Sequence, residues 1–132
     1  IELETGTGTR IHLKRGGGPR LLLVEDDDGL RAMLAVMIRQ WGFSVDEAAG
    51  FESVGQDAGP WVAAVADLGL PGEAGDLGLA RLKAAHPGLR TLLLTGARER
   101  AGQAAEGVDR VLVKPGLEAL RLELLELLET VR

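Results

Sequence analysis

Apolar residues cluster in five short runs, at positions 21–24, 43–48, 62–66, 91–94 and 108–113, each closed by a polar residue or a glycine or proline break. The runs at 21–24 and 62–66 contain no polar member, so they read as strands covered on both faces, as central strands of a parallel sheet are. Between the runs the period changes. Leu30, Met33, Leu34, Met37, Ile38 and Trp41 recur at helical spacing, with Asp27 or Asp28 as the N-cap and Gly42 as the stop. This Met and Trp stripe reads as core. Residues 51–59 form a poor helix or an irregular connection ended by Pro60, and Trp61 opens the central strand. Leu77, Leu79, Ala80, Leu82 and Lys83 carry a further helix, which His86, Pro87 and Gly88 terminate. A polar, Ala-rich helix is predicted over 98–106 and a final helix over 117–131. Five alternations of strand and connection, with helices too short and few for an eight-unit barrel, predict an α/β domain: an open, doubly wound parallel sheet.

The first residues follow another rule. Positions 1–15 alternate on either side of a Thr-Gly-Thr-Gly-Thr centre, which predicts strand, turn and strand, and the Gly-Gly-Gly-Pro at 16–19 marks a linker. The expected organisation is a leader over 1–18 and one domain over 19–132. The glycine-threonine string has no lysine, no buried strand before it and no helix after it, so it is a weak phosphate loop. A start without methionine and with a strand-like segment suggests an excerpt of a longer protein.

Composition narrows the classes. At 132 residues, 45% hydrophobic and 27% charged, the chain suits one globular core. A net charge of −5 with interspersed signs disfavours direct nucleic-acid binding and a polybasic membrane contact. The absence of cysteine removes thiol nucleophiles, disulfide scaffolds and Cys-type zinc sites. No apolar run approaches the roughly 20 residues of a membrane span, and a cytoplasmic setting is the expectation.

The chemistry lies at the strand ends. Glu25 and Asp26 follow the first run, Asp67 ends the third, Thr95 ends the fourth and Lys114 ends the fifth. Parallel strands set these ends along one edge, where ligands bind in open α/β sheets. Alone, an Asp before a Pro-Gly loop is common turn chemistry; the other strand ends change that reading. Three carboxylates in one crevice require a cation, and an all-oxygen site of this kind suits Mg²⁺. The Thr95 hydroxyl and the Lys114 ammonium remain to bind an anion, and a phosphoryl group is the anion these partners jointly favour. Asp67, on the middle strand beside the opening loop, is best placed as nucleophile.

Four segments in order, LLLVEDD, VADLGLPG, LLLTG and VLVKP, resemble the receiver domain of two-component response regulators, a likeness covering 19–132. The resemblance implies a flavodoxin-like five-stranded fold with strand order 2-1-3-4-5. It implies that Asp67 accepts a phosphoryl group from a phosphohistidine, that Glu25 and Asp26 hold Mg²⁺ directly or through water, and that the Gly69 carbonyl completes the metal site. Thr95 and Lys114 would contact the phosphoryl oxygens, and Lys114–Pro115 would be a cis peptide. The partner would be a histidine kinase or a histidine phosphotransfer protein. Residues 6–13 are similar to the closing Gly-x-Gly-Thr turn and last strand of a sensor kinase ATP-binding domain, which implies a hybrid histidine kinase as the parent chain, anchored in a membrane or not.

Two departures stand out: Val111 occupies a position where receivers commonly have an aromatic residue, and Gly116 replaces the usual aromatic after Lys-Pro. A muted conformational response is therefore expected, and the small Gly69 and Ala97 beside the acceptor predict a short to intermediate phosphoaspartate lifetime. In the last helix Leu117, Leu120, Leu124, Leu127 and Val131 keep a three-four spacing that Leu122, Leu125 and Leu128 broaden. Core packing explains such a stripe first, and a homodimer or partner contact through exposed leucines stays open. Two other readings compete. One is a degenerate receiver serving as an interaction module; the other is a haloacid dehalogenase-like phosphohydrolase, which Gly69 disfavours by removing the second acid of its Asp-x-Asp. His12 and His86 lack a strand-end serine, leaving a Ser-His-Asp hydrolase little support.

Overall fold

The computed structural model describes residues 2–4, 10–12, 18–54, 59–96, 106–114 and 117–130. Two short strands, β1 (Glu2–Glu4) and β2 (Arg10–His12), pair antiparallel with Glu2 opposite His12, as the leader's alternation predicts. The Thr-Gly turn between them lies outside the described residues.

The remaining elements are β3 (Arg20–Val24), α1 (Asp28–Gln40), β4 (Ser44–Ala48), a single 3₁₀ turn at Phe51–Ser53, β5 (Ala63–Asp67), α2 (Gly75–Ala85), β6 (Arg90–Thr95), β7 (Arg110–Val113) and α3 (Leu117–Thr130). Five strands form one parallel sheet in the order β4-β3-β5-β6-β7. Counted from β3, this is the order 2-1-3-4-5 of the flavodoxin-like fold.

Alternation along the strands builds two cores. Leu21 and Leu23 of β3, Ala63 and Val65 of β5, and Leu92 and Leu94 of β6 point to the face covered by α1 and α3, where Leu34, Ile38, Leu120 and Leu124 meet them. Leu22, Val24, Ala64, Ala66 and Leu93 point to the other face, against Phe51, Trp61, Leu79 and Leu82. Both faces are thus sealed, the reason β3 and β5 carry an unbroken apolar interior. The mixed sequence of β4 suits its place at an edge, and its Asp46 ties the amino end of the sheet by accepting from Trp61 Nε1 at 2.8 Å and from Arg20.

Several predicted boundaries shift. The central strand begins at Ala63 and includes Asp67, while Trp61 and Val62 lead into it. The fifth strand begins at Arg110 because Asp109 is committed to hydrogen bonds with Thr91. Residues 51–59 hold only the 3₁₀ turn among their described positions. All but the last residue of the helix expected at 98–106 lies outside the described part, as does Pro115 of the expected cis bond; the described cis peptide is Gly59–Pro60.

One residue of the predicted core stripe and one apolar residue of the next helix face outward. Met33 is 43% exposed, because the buried stripe of α1 centres on Leu34, Ala35 and Ile38 and Met33 stands at its margin. Leu77 is 55% exposed, because α2 buries Gly75, Gly78, Leu79 and Leu82, and two residues of helix turn Leu77 roughly 200° from Leu79.

Candidate functional site

The acidic run 25–28 divides into separate tasks as β3 gives way to α1. Glu25 is buried at 2% exposure and its N–H bonds to Ala48 O at 3.0 Å, which extends the pairing with β4 past the strand end. Asp26 is exposed beside it. Asp27 is the N-cap, accepting from Leu30 N at 2.8 Å, and this settles the choice between Asp27 and Asp28. Asp28 pairs instead with Arg31 at 2.7 Å.

Asp67 reaches the same edge from the middle strand. Its backbone continues into Leu68, whose N–H bonds to Leu94 O at 2.9 Å, and the chain then doubles back so that Gly75 N meets Leu68 O at 3.3 Å. A Cβ on Gly75 would lie 1.9 Å from Asp67 O. Only glycine allows α2 to begin this close to the carboxyl end of β5, so Gly75 belongs to the support of the site. The Gly69 N–H faces the Asp67 carboxylate at 3.4 Å.

Three carboxylates converge: Glu25, Asp26 and Asp67 present oxygens all within 4.8 Å of one another. Lys114 stands against them, its Nζ 3.5 Å from Glu25 Oε1 and 3.3 Å from Asp67 Oδ1. Lys114 N donates to Thr95 O at 2.8 Å, which joins the ends of β6 and β7, and Thr95 itself is buried at 2% exposure. Burial pushes the Glu25 carboxyl up from its ordinary value, and the bond to Asp26 and the nearby Asp67 charge act in the same direction; the Asp27 N–H and the Lys114 ammonium only partly offset them. Such a cluster holds excess negative charge. Hard oxygen donors this close match a small divalent cation such as Mg²⁺, whose opposed ligands span about 4 Å and which retains water. The donor set therefore fits the ion.

The sequence-derived residues Glu25, Asp26, Asp67, Gly69, Thr95 and Lys114 thus gather at one edge of the sheet. Two further contributors were not read from the sequence. They are Gly75, whose close approach to Asp67 O only the packing reveals, and Arg31, which lies six residues after Glu25.

A five-stranded parallel sheet in this order, with acids and a lysine meeting at its carboxyl edge, defines the class: the chain has the flavodoxin-like fold of response regulator receiver domains and is similar to them. The response regulator TrrA of Thermotoga maritima, solved in complex with Mg²⁺-BeF, has the same fold at a TM-score of 0.75 and 20% identity, over 83% of this chain and 98% of that one. A response regulator from Burkholderia pseudomallei, solved with a phosphorylated aspartic acid, calcium ion and citrate, aligns at a TM-score of 0.69 and 26% identity, over 86% of this chain and 70% of that one. The transcriptional regulatory protein TcrA of Mycobacterium tuberculosis is 33% identical over 118 residues, which cover 86% of this chain. The chain spans about half the length of that curated relative, 47%. No family model matches the chain. These comparisons support a place in two-component response regulation. Among the described residues no helix is long and apolar enough to cross a membrane.

Proposed function

We propose that Asp67 accepts a phosphoryl group from the phosphohistidine of a histidine kinase or histidine phosphotransfer protein, in a Mg²⁺-dependent reaction. The observation that carries this reading is the position of Lys114 Nζ, 3.3 Å from Asp67 Oδ1 and 3.5 Å from Glu25 Oε1, beside three convergent carboxylates. A carboxylate with an ammonium at its flank and a cation-binding pair beside it suits attack on an anionic phosphorus.

In the proposed step an Asp67 carboxylate oxygen attacks phosphorus and the P–N bond of the phosphohistidine breaks. Its electron pair stays on the imidazole nitrogen, which takes up a proton. Lys114 and the Thr95 hydroxyl hold the transferred oxygens, so Lys114 exchanges its carboxylate partners for the phosphoryl group. Glu25, Asp26, Asp67 and the Gly69 carbonyl hold Mg²⁺. When bound, the ion offsets charge that builds on the phosphoryl oxygens. Hydrolysis of the acyl phosphate by water returns the carboxylate and resets the site.

For the whole protein we propose a hybrid histidine kinase, with 1–18 as the tail of its ATP-binding domain plus linker and 19–132 as the receiver, working in the cytoplasm. Output then passes through protein contact or relay to a second histidine protein. The strand pairing of β1 with β2 supports the leader assignment, and the Mg²⁺-BeF complex of TrrA and the phosphorylated aspartic acid of the Burkholderia regulator support the chemistry.

Intact mass after incubation with Mg²⁺ and a small-molecule phosphodonor tests the site. The expected result is one phosphoryl gain, lost in Asp67→Asn and lost without Mg²⁺. No gain from a chain that still binds Mg²⁺ and also refuses transfer from phosphorylated kinases would leave an interaction module in place of a phosphoacceptor.

A further inference from the structure

Lys114 and Arg31 both bring positive charge to the acidic edge, but they reach it differently. Lys114 Nζ lies between the Glu25 and Asp67 carboxylates, so it must shift when a cation takes those oxygens. Arg31 touches none of the three convergent carboxylates. Its NH1 donates to the backbone carbonyl of Glu25 at 2.8 Å, its NH2 to Asp28 Oδ1 at 2.7 Å, and its Nε lies 3.7 Å from Glu47 Oε1. The Arg31 side chain is only 19% exposed, whereas Asp28 beside it is 89% exposed.

We infer that Arg31 is a positioning residue for the divalent cation, fixing the Glu25–Asp26 peptide so that both carboxylates face the site. The inference rests on the proposed reading of that site as a Mg²⁺-dependent phosphoacceptor. The Glu25 backbone is held from two sides: its N–H by Ala48 of β4 at 3.0 Å and its carbonyl by Arg31 of α1. With both ends of that residue pinned, the chain leaves the strand in one direction, and Asp26, though exposed, is set with its carboxylate beside Asp67.

Charge alone does not explain the choice of residue. A planar guanidinium reaches two separate acceptors at fixed spacing, and an ammonium on a flexible stem does not. Arg31 bonds the Glu25 backbone carbonyl and not its carboxylate, so it leaves those oxygens to the cation. Arg39, which also pairs with Glu47, at 3.1 Å, has no contact with Glu25 and serves as the control.

Calorimetric titration of the full chain with Mg²⁺ tests this, on the parent, Arg31→Lys, Arg31→Met and Arg39→Met, with thermal unfolding of each. Residues that orient metal ligands from behind typically contribute about tenfold in affinity, so both Arg31 variants are expected to bind Mg²⁺ about tenfold more weakly while folded, with Arg39→Met within twofold of the parent. Normal affinity in Arg31→Lys would reduce Arg31 to a charge effect and overturn the inference. So would a lowered melting temperature with unchanged affinity. A measurement on the parent alone covers variants that fail to fold: a pinned guanidinium shows slowed rotation and separate NMR signals for its two terminal nitrogens, and averaged signals would count against it. A parent that binds no Mg²⁺ would sink the proposed function as well, whereas binding without any Arg31 effect removes this inference alone.

Discussion

Two carboxylates show how burial can be reinforced or outweighed by what surrounds it. At Glu25 desolvation dominates and the carboxyl rises, because much of its surroundings is also negative. At Asp109 burial also pushes upward, but the Thr91 N–H, the Lys83 ammonium and the Thr91 hydroxyl outweigh it and hold the carboxyl below its ordinary value. Those bonds are 2.8 Å from Thr91 N, 3.0 Å from Lys83 Nζ and 3.2 Å from Thr91 Oγ1, and they tie α2, β6 and the entry to β7 together. The folded protein therefore holds this proton less tightly than the unfolded chain. The stabilisation is complete above the unfolded value of 3.8 and lost as pH falls through the lower folded value. Asp109→Asn is expected to cost about 1–2 kcal/mol at pH 7 and to lose less than the parent on acidification. Urea unfolding at pH 7 and pH 3 measures both.

At the scale of the element, α3 shows where a wide apolar stripe goes. Leu120 and Leu124 are fully buried, and Leu117, Leu127 and Leu128 pack against the same core, while Leu122 is 57% exposed. Most of the leucine face thus covers the sheet, as the core-packing reading expects, and Leu122 falls outside it. Leu124→Ala should cost about 2–5 kcal/mol through its cavity, and Leu122→Ala should stay within about 0.5 kcal/mol, both read by urea unfolding. A large loss at Leu122 would place it in an interface and support a homodimer through this helix. Glu123, on the same helix, bridges Arg90 at 3.0 Å and Arg110 at 3.2 Å, which docks α3 across β6 and β7.

For the whole molecule the question is how far an event at Asp67 travels. Thr95 is buried and hydrogen-bonded through its carbonyl to Lys114 N, so the ends of β6 and β7 are linked to the site. Val111 is half-buried against the core on the α2 face. A β-branched valine has few rotamers and no ring to swing between inward and outward positions, so a change at Thr95 finds no large side chain to relay it. Amide NMR shifts with and without a beryllofluoride mimic are expected to change mainly around Asp67 and Gly69, with little change at Val111. Large shifts at both Thr95 and Val111 would show that the usual output switch operates without the ring.

The sequence by itself determined the strands, the burial of the central ones on both faces, and the polar residues at four of the five carboxyl ends, because alternation and unbroken apolar runs report local geometry directly. It also specified the candidate site residues by type: Glu25, Asp26, Asp67, Thr95 and Lys114 follow from where apolar runs stop. Tertiary structure decided what depends on distance in space. The lateral order β4-β3-β5-β6-β7 brings Lys114 from the far edge to within 3.5 Å of Glu25, 89 residues away in the chain. Gly75 and Gly78 set the inward face of α2 by close approach to Asp67 and Phe51, which leaves Leu77 outward. Arg31 found its acceptor on the backbone of Glu25, a partner that no side-chain pattern announces. Periodicity records which side of an element a residue occupies; which neighbour lies across from it is fixed only when the elements pack.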